Sequence, residues 1–197
     1  MGTAGIPVGN DLFPPMFSPF ASLVRVVLAV LALSTGSRAR DPVSLFANGR
    51  PIFILEKFFA GRTHSWGVFE RRSGAPKQTL TTKTNGVWQD GILHFEQDIA
   101  FADGKRQHRS WRIRRLDEHH YSATGTGIVG TARGEAWGNA FHLDFTMAVL
   151  GANPLGHVHM SQWLYLQEDG VTLINRATAT KAGIIVAEIT EQFRKDR

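Results

Sequence analysis

ILHFEQDIAFADGKRQHRSWRIRR, Ile92 to Arg115, reads as two strands around a turn. In its first half Leu93, Phe95, Ile99 and Phe101 share one face with Gln97, while His94, Glu96 and Asp98 share the other. In its second half Trp111 and Ile113 point one way, and Arg106, His108, Arg112 and Arg114 the other. Side chains of a strand alternate between two faces, so each half has one apolar and one charged side. Asp103 and Gly104 supply the turn.

The same pattern extends in both directions. In AFHLDFTM, Phe141, Leu143, Phe145 and Met147 oppose His142, Asp144 and Thr146. Turn-forming clusters punctuate the chain at SGAP (73–76), QDG (89–91), WGN (137–139), GANPLG (151–156), EDG (168–170) and KAG (181–183). Regularly spaced short strands predict an all-β antiparallel fold. About nine or ten one-sided strands close into a barrel just wide enough to hold a small ligand. GTGIVGTARGEAWG (125–138) is Gly-rich, but no helix follows it. It fails as a phosphate loop and reads as a bent strand pair or bulge.

The chain has 197 residues, 43% hydrophobic and 20% charged, enough for one domain with a real core. With no cysteine, disulfides, thiolate metal sites and a cysteine nucleophile are excluded. The formal charge of +5 suits an anionic partner without reaching the density of a dedicated nucleic-acid binder. Ahead of the strands, Arg25 precedes the apolar run VVLAVLAL (Val26 to Leu33), followed by small residues at Ser37 and Ala39. Residues 1–39 therefore read as a signal peptide cleaved after Ala39, or as a retained membrane anchor. Export to the periplasm or cell envelope is the expectation, with a cytoplasmic protein as the alternative. Residues 40–60 read as a leader with a short helical turn on the barrel end, and 61–197 as the barrel.

Three segments carry a family resemblance: FFAGRTHSWGVFERRSG, GTGIVGTARGEAWGNAFHLDF and QWLYLQEDGVTLINRATATKAGIIVAEITEQFRK. Together they resemble a bacterial domain-of-unknown-function family of lipocalin-like (calycin-type) envelope proteins, many of them lipoproteins. The resemblance spans about residues 50–197. It implies an antiparallel barrel of eight or more strands and brings no established activity. The lipobox cysteine of the lipoprotein relatives is missing here, so anchoring through it is ruled out. In such barrels a Trp of the first strand plugs the closed end under an Arg of the last strand. The resemblance assigns these roles to Trp66 and to Arg194 or Arg176, and Gly67 becomes a place where another backbone closes in.

Candidate site residues follow from these faces. The expected wall of a cavity is aromatic: Trp66, Phe95, Trp111, Phe141, Phe145 and Trp163, with Trp88 and Trp137 as further candidates. His64 shares the face of Trp66 and would orient a ligand head group. In NRATATK, Asn175 lies on a face of small residues where an amide meets a ligand, and Arg176, if it points inward, would counter a carboxylate. His157 and His159 stand on one face of a strand, but the sequence identifies no third ligand, so no metal site is expected. His142 with Asp144, and His94 with Glu96 and Asp98, are expected on a solvated outer face.

The function expected is binding of a lipophilic small molecule of fatty-acid type, with no cofactor and no catalytic residue. An enzyme of lipid modification using a cavity histidine, and a structural envelope protein with a filled barrel, are the alternatives. The stripe Arg106, Arg112, Arg114 suits an anionic membrane surface; the strand lacks outward aromatics for base stacking, so no nucleic-acid partner is expected.

Overall fold

The computed structural model describes residues 42–149 and 154–196. The expected signal or anchor in residues 1–39 lies outside them. The unit Asp41–Arg197 is built on ten antiparallel strands. They are β1 (Gly61–Arg71), β2 (Pro76–Gln89), β3 (Ile92–Phe101), β4 (Arg106–Arg115), β5 (His120–Gly125), β6 (Ile128–Trp137), β7 (Ala140–Ala148), β8 (His157–Leu166), β9 (Thr172–Lys181) and β10 (Ile184–Lys195). Each strand pairs with its neighbour in sequence, and β1 pairs with β10, from Thr63 opposite Lys195 to Arg71 opposite Ala187. The result is a closed, lipocalin-like up-and-down barrel with no free sheet edge.

Alternation places the core. Leu93 and Phe95 of β3, Trp111 and Ile113 of β4, Phe141, Leu143, Phe145 and Met147 of β7, and Phe193 of β10 all point inward and are buried. The charged faces read from β3 and β4 point outward. The Gly-rich stretch forms the β5–β6 hairpin, with a register shift against β7 between Val129 and Arg133. Among the described residues no helix is long and apolar enough to cross a membrane.

One end of the barrel is stoppered by the segment ahead of β1. Helix α1 (Leu55–Phe59) turns Leu55, Phe58 and Phe59 into the lumen, and Phe53 joins them. The Phe59 ring lies 4.8 Å from Phe95 and 5.8 Å from Phe193, and Phe53 packs edge-on to Phe141. Burying each phenyl ring contributes about 1.5–3 kcal/mol. The stopper fits because Gly86 of β2 has no side chain: a Cβ there would stand 2.0 Å from the Phe59 carbonyl oxygen. Two polar clasps hold α1. Glu56 accepts hydrogen bonds from Arg115 (3.0 Å) and Tyr121 (3.2 Å). Burial and the Glu56 charge push the Tyr121 hydroxyl above its ordinary range. At the other end of α1, Lys195 Nζ donates to the carbonyls of Lys57, Phe58 and Ala60, the groups a helix C-terminus leaves without partners.

The stopper expected at Trp66 is therefore phenylalanine from α1, and Trp66 is elsewhere. Thr63, Ser65, Gly67 and Phe69 form the inner row of β1, so Trp66 and His64 are forced outward by the period of two. Trp66 is 54% exposed, with its ring edge-on to His64 at 4.7 Å. The cation–π contacts among the described residues are Lys77 over Phe69 and Arg115 over Tyr121, neither of them at Trp66.

Candidate functional site

Above the α1 stopper the barrel is hollow. The cavity measures about 270 Å³, close to the lower end of the range of about 300–1,000 Å³ typical of small-molecule sites. Its floor is apolar, formed by Phe59, Phe95, Ile113, Phe141, Leu164 and Phe193. Its upper wall carries Phe69, Leu80, Ile99, Phe101 and Ile189. The strand registers put a belt of polar side chains between these two zones.

Glu191 of β10 is the centre of that belt. It is buried, and its carboxylate accepts hydrogen bonds from Ser65 Oγ (2.8 Å), Thr82 Oγ1 (3.0 Å) and Asn175 Nδ2 (3.0 Å). Asn175 in turn accepts at Oδ1 from Gln162 Nε2 (3.1 Å). Four strands, β1, β2, β9 and β8, thus converge on one acid. A buried carboxylate is costly unless its lone pairs are satisfied, and three donors satisfy most of them.

On the β3–β4 wall, Gln97 and Arg109 are cross-strand partners on the inner face. Trp111 Nε1 donates to Gln97 Oε1 at 2.8 Å. The indole is donor only, so this bond fixes which way the carboxamide is turned. Arg109 donates to Gln107 Oε1 at 2.9 Å. Burial pulls the Arg109 guanidinium below the ordinary arginine range, and the charge of Glu191 works against that pull. A guanidinium keeps its proton in either case. The lumen thus holds a cation on one side, a carboxylate on another and apolar surface above and below.

Of the site residues expected from sequence, Phe95, Trp111, Phe141, Phe145 and Asn175 line this cavity together. His64, Trp66, Trp163 and Arg176 do not, and in each case parity is the reason. His64 points outward with Trp66 and meets Asp196 at 2.6 Å. Trp163 lies on the outer face of β8, because Gln162 and Leu164 take the inner positions. It stacks on Tyr165 and is covered by Phe46 of the 3-10 turn Val43–Phe46. Arg176 neighbours the inward Asn175, so it points out, is 66% exposed and pairs with Glu188 at 3.1 Å. Trp88 is exposed, and Trp137 stacks on His119 outside the cavity.

The outer faces also differ in part from expectation. His142 is outside the lumen yet buried, its ring against Trp163 and its Nε2 hydrogen-bonded to Ser161 Oγ at 2.8 Å. Packing from β8 covers this patch of the barrel, which alternation alone does not show. Asp144 pairs with His159 at 2.9 Å. His108 is held between Asp98 (2.8 Å) and Glu96 (3.0 Å), and the Asp98 hydrogen bond raises its imidazole above the ordinary range. Arg106, Arg112 and Arg114 are exposed. Among the described residues there is no cluster of three metal-ligating side chains.

Sequence reasoning missed Glu191, Arg109, Gln162, Ser65 and Thr82. The signal was present for the first two. Arg109 shares the parity of Trp111 and Ile113, and Glu191 that of Phe193, so each is a charge on an apolar face.

A family model described as "Protein of unknown function (DUF3833)" matches residues 31–195. The chain belongs to the DUF3833 family. No curated protein matches this DUF3833 chain in sequence. Among the solved structures that share its architecture are two natural proteins. The S-type phycobiliprotein lyase CPES from Guillardia theta superposes with a TM-score of 0.54 at 8% identity, covering 76% of this chain and 95% of that one. Rv2717c from M. tuberculosis superposes with a TM-score of 0.53 at 14% identity, covering 71% and 93%. At these identities the DUF3833 chain shares a lipocalin-like fold with them, and fold does not carry function.

Proposed function

We propose that this DUF3833 protein binds a lipophilic small molecule of fatty-acid type inside its barrel. The observation that carries the reading is the cavity itself, an apolar lumen interrupted by the Glu191–Asn175 and Gln97–Arg109 groups. Such a lumen buries a ligand's hydrocarbon and fixes it through few polar contacts. A filled barrel would leave no such volume. The reading of an enzyme with a cavity histidine has little support, because none of the eight histidines of the chain is among the lining residues.

Placement in the cell envelope belongs to the same proposal and rests on the signal-like residues Val26–Leu33 and Ala39. So does contact of Arg106, Arg112 and Arg114 with an anionic membrane surface, for which their exposure is the support. The decisive experiment is native mass spectrometry of the protein purified from its own host. A co-purifying lipophilic molecule is expected. An empty protein whose tryptophan fluorescence is unmoved by fatty acids would sink the reading.

A further inference from the structure

We propose that Arg109 and Gln97 form an oxyanion anchor at mid-depth in the barrel, so that the bound molecule carries a carboxylate or comparable anionic head group. This inference rests on the reading that the lumen takes a lipophilic ligand. It adds the chemistry of the head and the residues that recognise it.

The argument starts with the pairing of charges. Among the described residues the arginines in ion pairs are Arg62, Arg115 and Arg176, none of which lines the cavity. Arg109 is not among them. It lines the cavity opposite Gln97, the Glu191 carboxylate acts on it across the lumen without forming an ion pair, and its hydrogen bond to Gln107 engages one of five N–H groups. A partly buried guanidinium with unused donors facing an apolar lumen is unfavourable unless an anion meets it.

Gln97 supplies the second donor. Its Oε1 is committed to the Trp111 indole N–H, which turns the carboxamide NH₂ away from that ring. Gln97 stands directly opposite Arg109 across the β3–β4 ladder. Facing cross-strand residues are close enough for one small group to touch both side chains. A planar carboxylate can take one oxygen to each, or two parallel bonds from the guanidinium.

Glu191 sets the sign of what does not bind there. Its carboxylate is already engaged by Ser65, Thr82 and Asn175, so it has no need of the Arg109 cation. It repels a second anion from its own side of the lumen. An anionic head is thereby directed to the β3–β4 wall, with the hydrocarbon in the apolar zones above or below the belt.

The test compares decanoate with decanol, which share a chain and differ in charge. Binding is read from fluorescence, since Trp111 lies beside the anchor, and checked by calorimetry. The wild-type protein should bind decanoate about 10- to 100-fold more tightly than decanol, the range expected for hydrogen bonds to a charged group. Arg109→Met should bring the ratio of decanoate to decanol affinity close to one, and Arg109→Lys should retain part of the preference. An unchanged thermal transition shows that the variants fold, and Gln97→Glu gives a second route by turning the anchor anionic. Equal wild-type affinity for the two ligands, or an Arg109→Met protein that still prefers decanoate, overturns the anchor alone. Binding of neither ligand overturns the lipophilic reading and the anchor with it.

Discussion

Gly67 and Glu191 face each other across the β1–β10 ladder, and the acid occupies the space a side chain on the glycine would need. A Cβ on Gly67 would lie 2.3 Å from Glu191 Cγ and 2.8 Å from the Thr190 carbonyl oxygen. Gly67→Ala should therefore displace Glu191 from its three donors and destabilise the protein by about 1–3 kcal/mol, the usual range for overpacking. Urea denaturation measures this. A transition at the wild-type midpoint would mean that the contact is slack.

Removing the acid has the complementary effect. Glu191→Leu leaves Ser65, Thr82 and Asn175 donors buried without their acceptor, each at a cost of roughly 1–3 kcal/mol before relaxation. Glu191→Gln keeps an acceptor and should be milder. The expected order of denaturation midpoints is wild type, then Gln, then Leu.

Trp66 and Phe59 give opposite results. Trp66 is more than half exposed, so Trp66→Ala should stay within about 1 kcal/mol of wild type and leave ligand binding unchanged. Phe59 is buried against Phe95 and Phe193, so Phe59→Ala should cost about 3–5 kcal/mol. Thermal denaturation of the two variants separates the α1 stopper from a tryptophan plug.

Lys195 ties β10 to α1. Lys195→Met removes three hydrogen bonds to the end of the helix and should lower stability by about 1–3 kcal/mol. Faster amide exchange at Phe58 and Phe59 would localise the loss. Exchange unchanged there would show that apolar packing alone holds the stopper.

The β4–β5 connection contains a pH-dependent element. Backbone N–H groups of His119 and His120, with the His120 ring, hold the Asp117 carboxyl at about 2, below its ordinary 3.8. A depressed folded value means that the turn's stabilisation is present above about 3.8 and is lost as pH falls toward about 2. An NMR titration of Asp117 should give that midpoint, and Asp117→Asn should remove this component of the acid sensitivity.

Much of the fold was legible, because hydrophobic alternation in β3, β4 and β7 fixes which face is buried whatever the partner strand. A barrel of about nine or ten strands, the turn positions and five cavity residues follow from it. The site's charges were harder. Arg109 and Glu191 look like ordinary surface residues unless parity is carried through every strand, since a charge on an apolar face is usually a local break in pattern. The resemblance made Trp66 a plug, but alternation along β1 sets it on the face opposite Thr63 and Ser65. His142 needed tertiary knowledge, since only the packing of Trp163 and Phe46 shows that an outer face is covered.

The clasp between Lys195 and α1 joins parts of the chain far apart in sequence, as does the pairing of Thr63 with Lys195 that closes the barrel. Contacts of such separation form late, after the entropy of the intervening chain has been lost. Floor and wall therefore arrive together. A chain with β1 through β9 in place is still an open sheet with no container, and capacity to hold a ligand should appear in the same kinetic phase as closure.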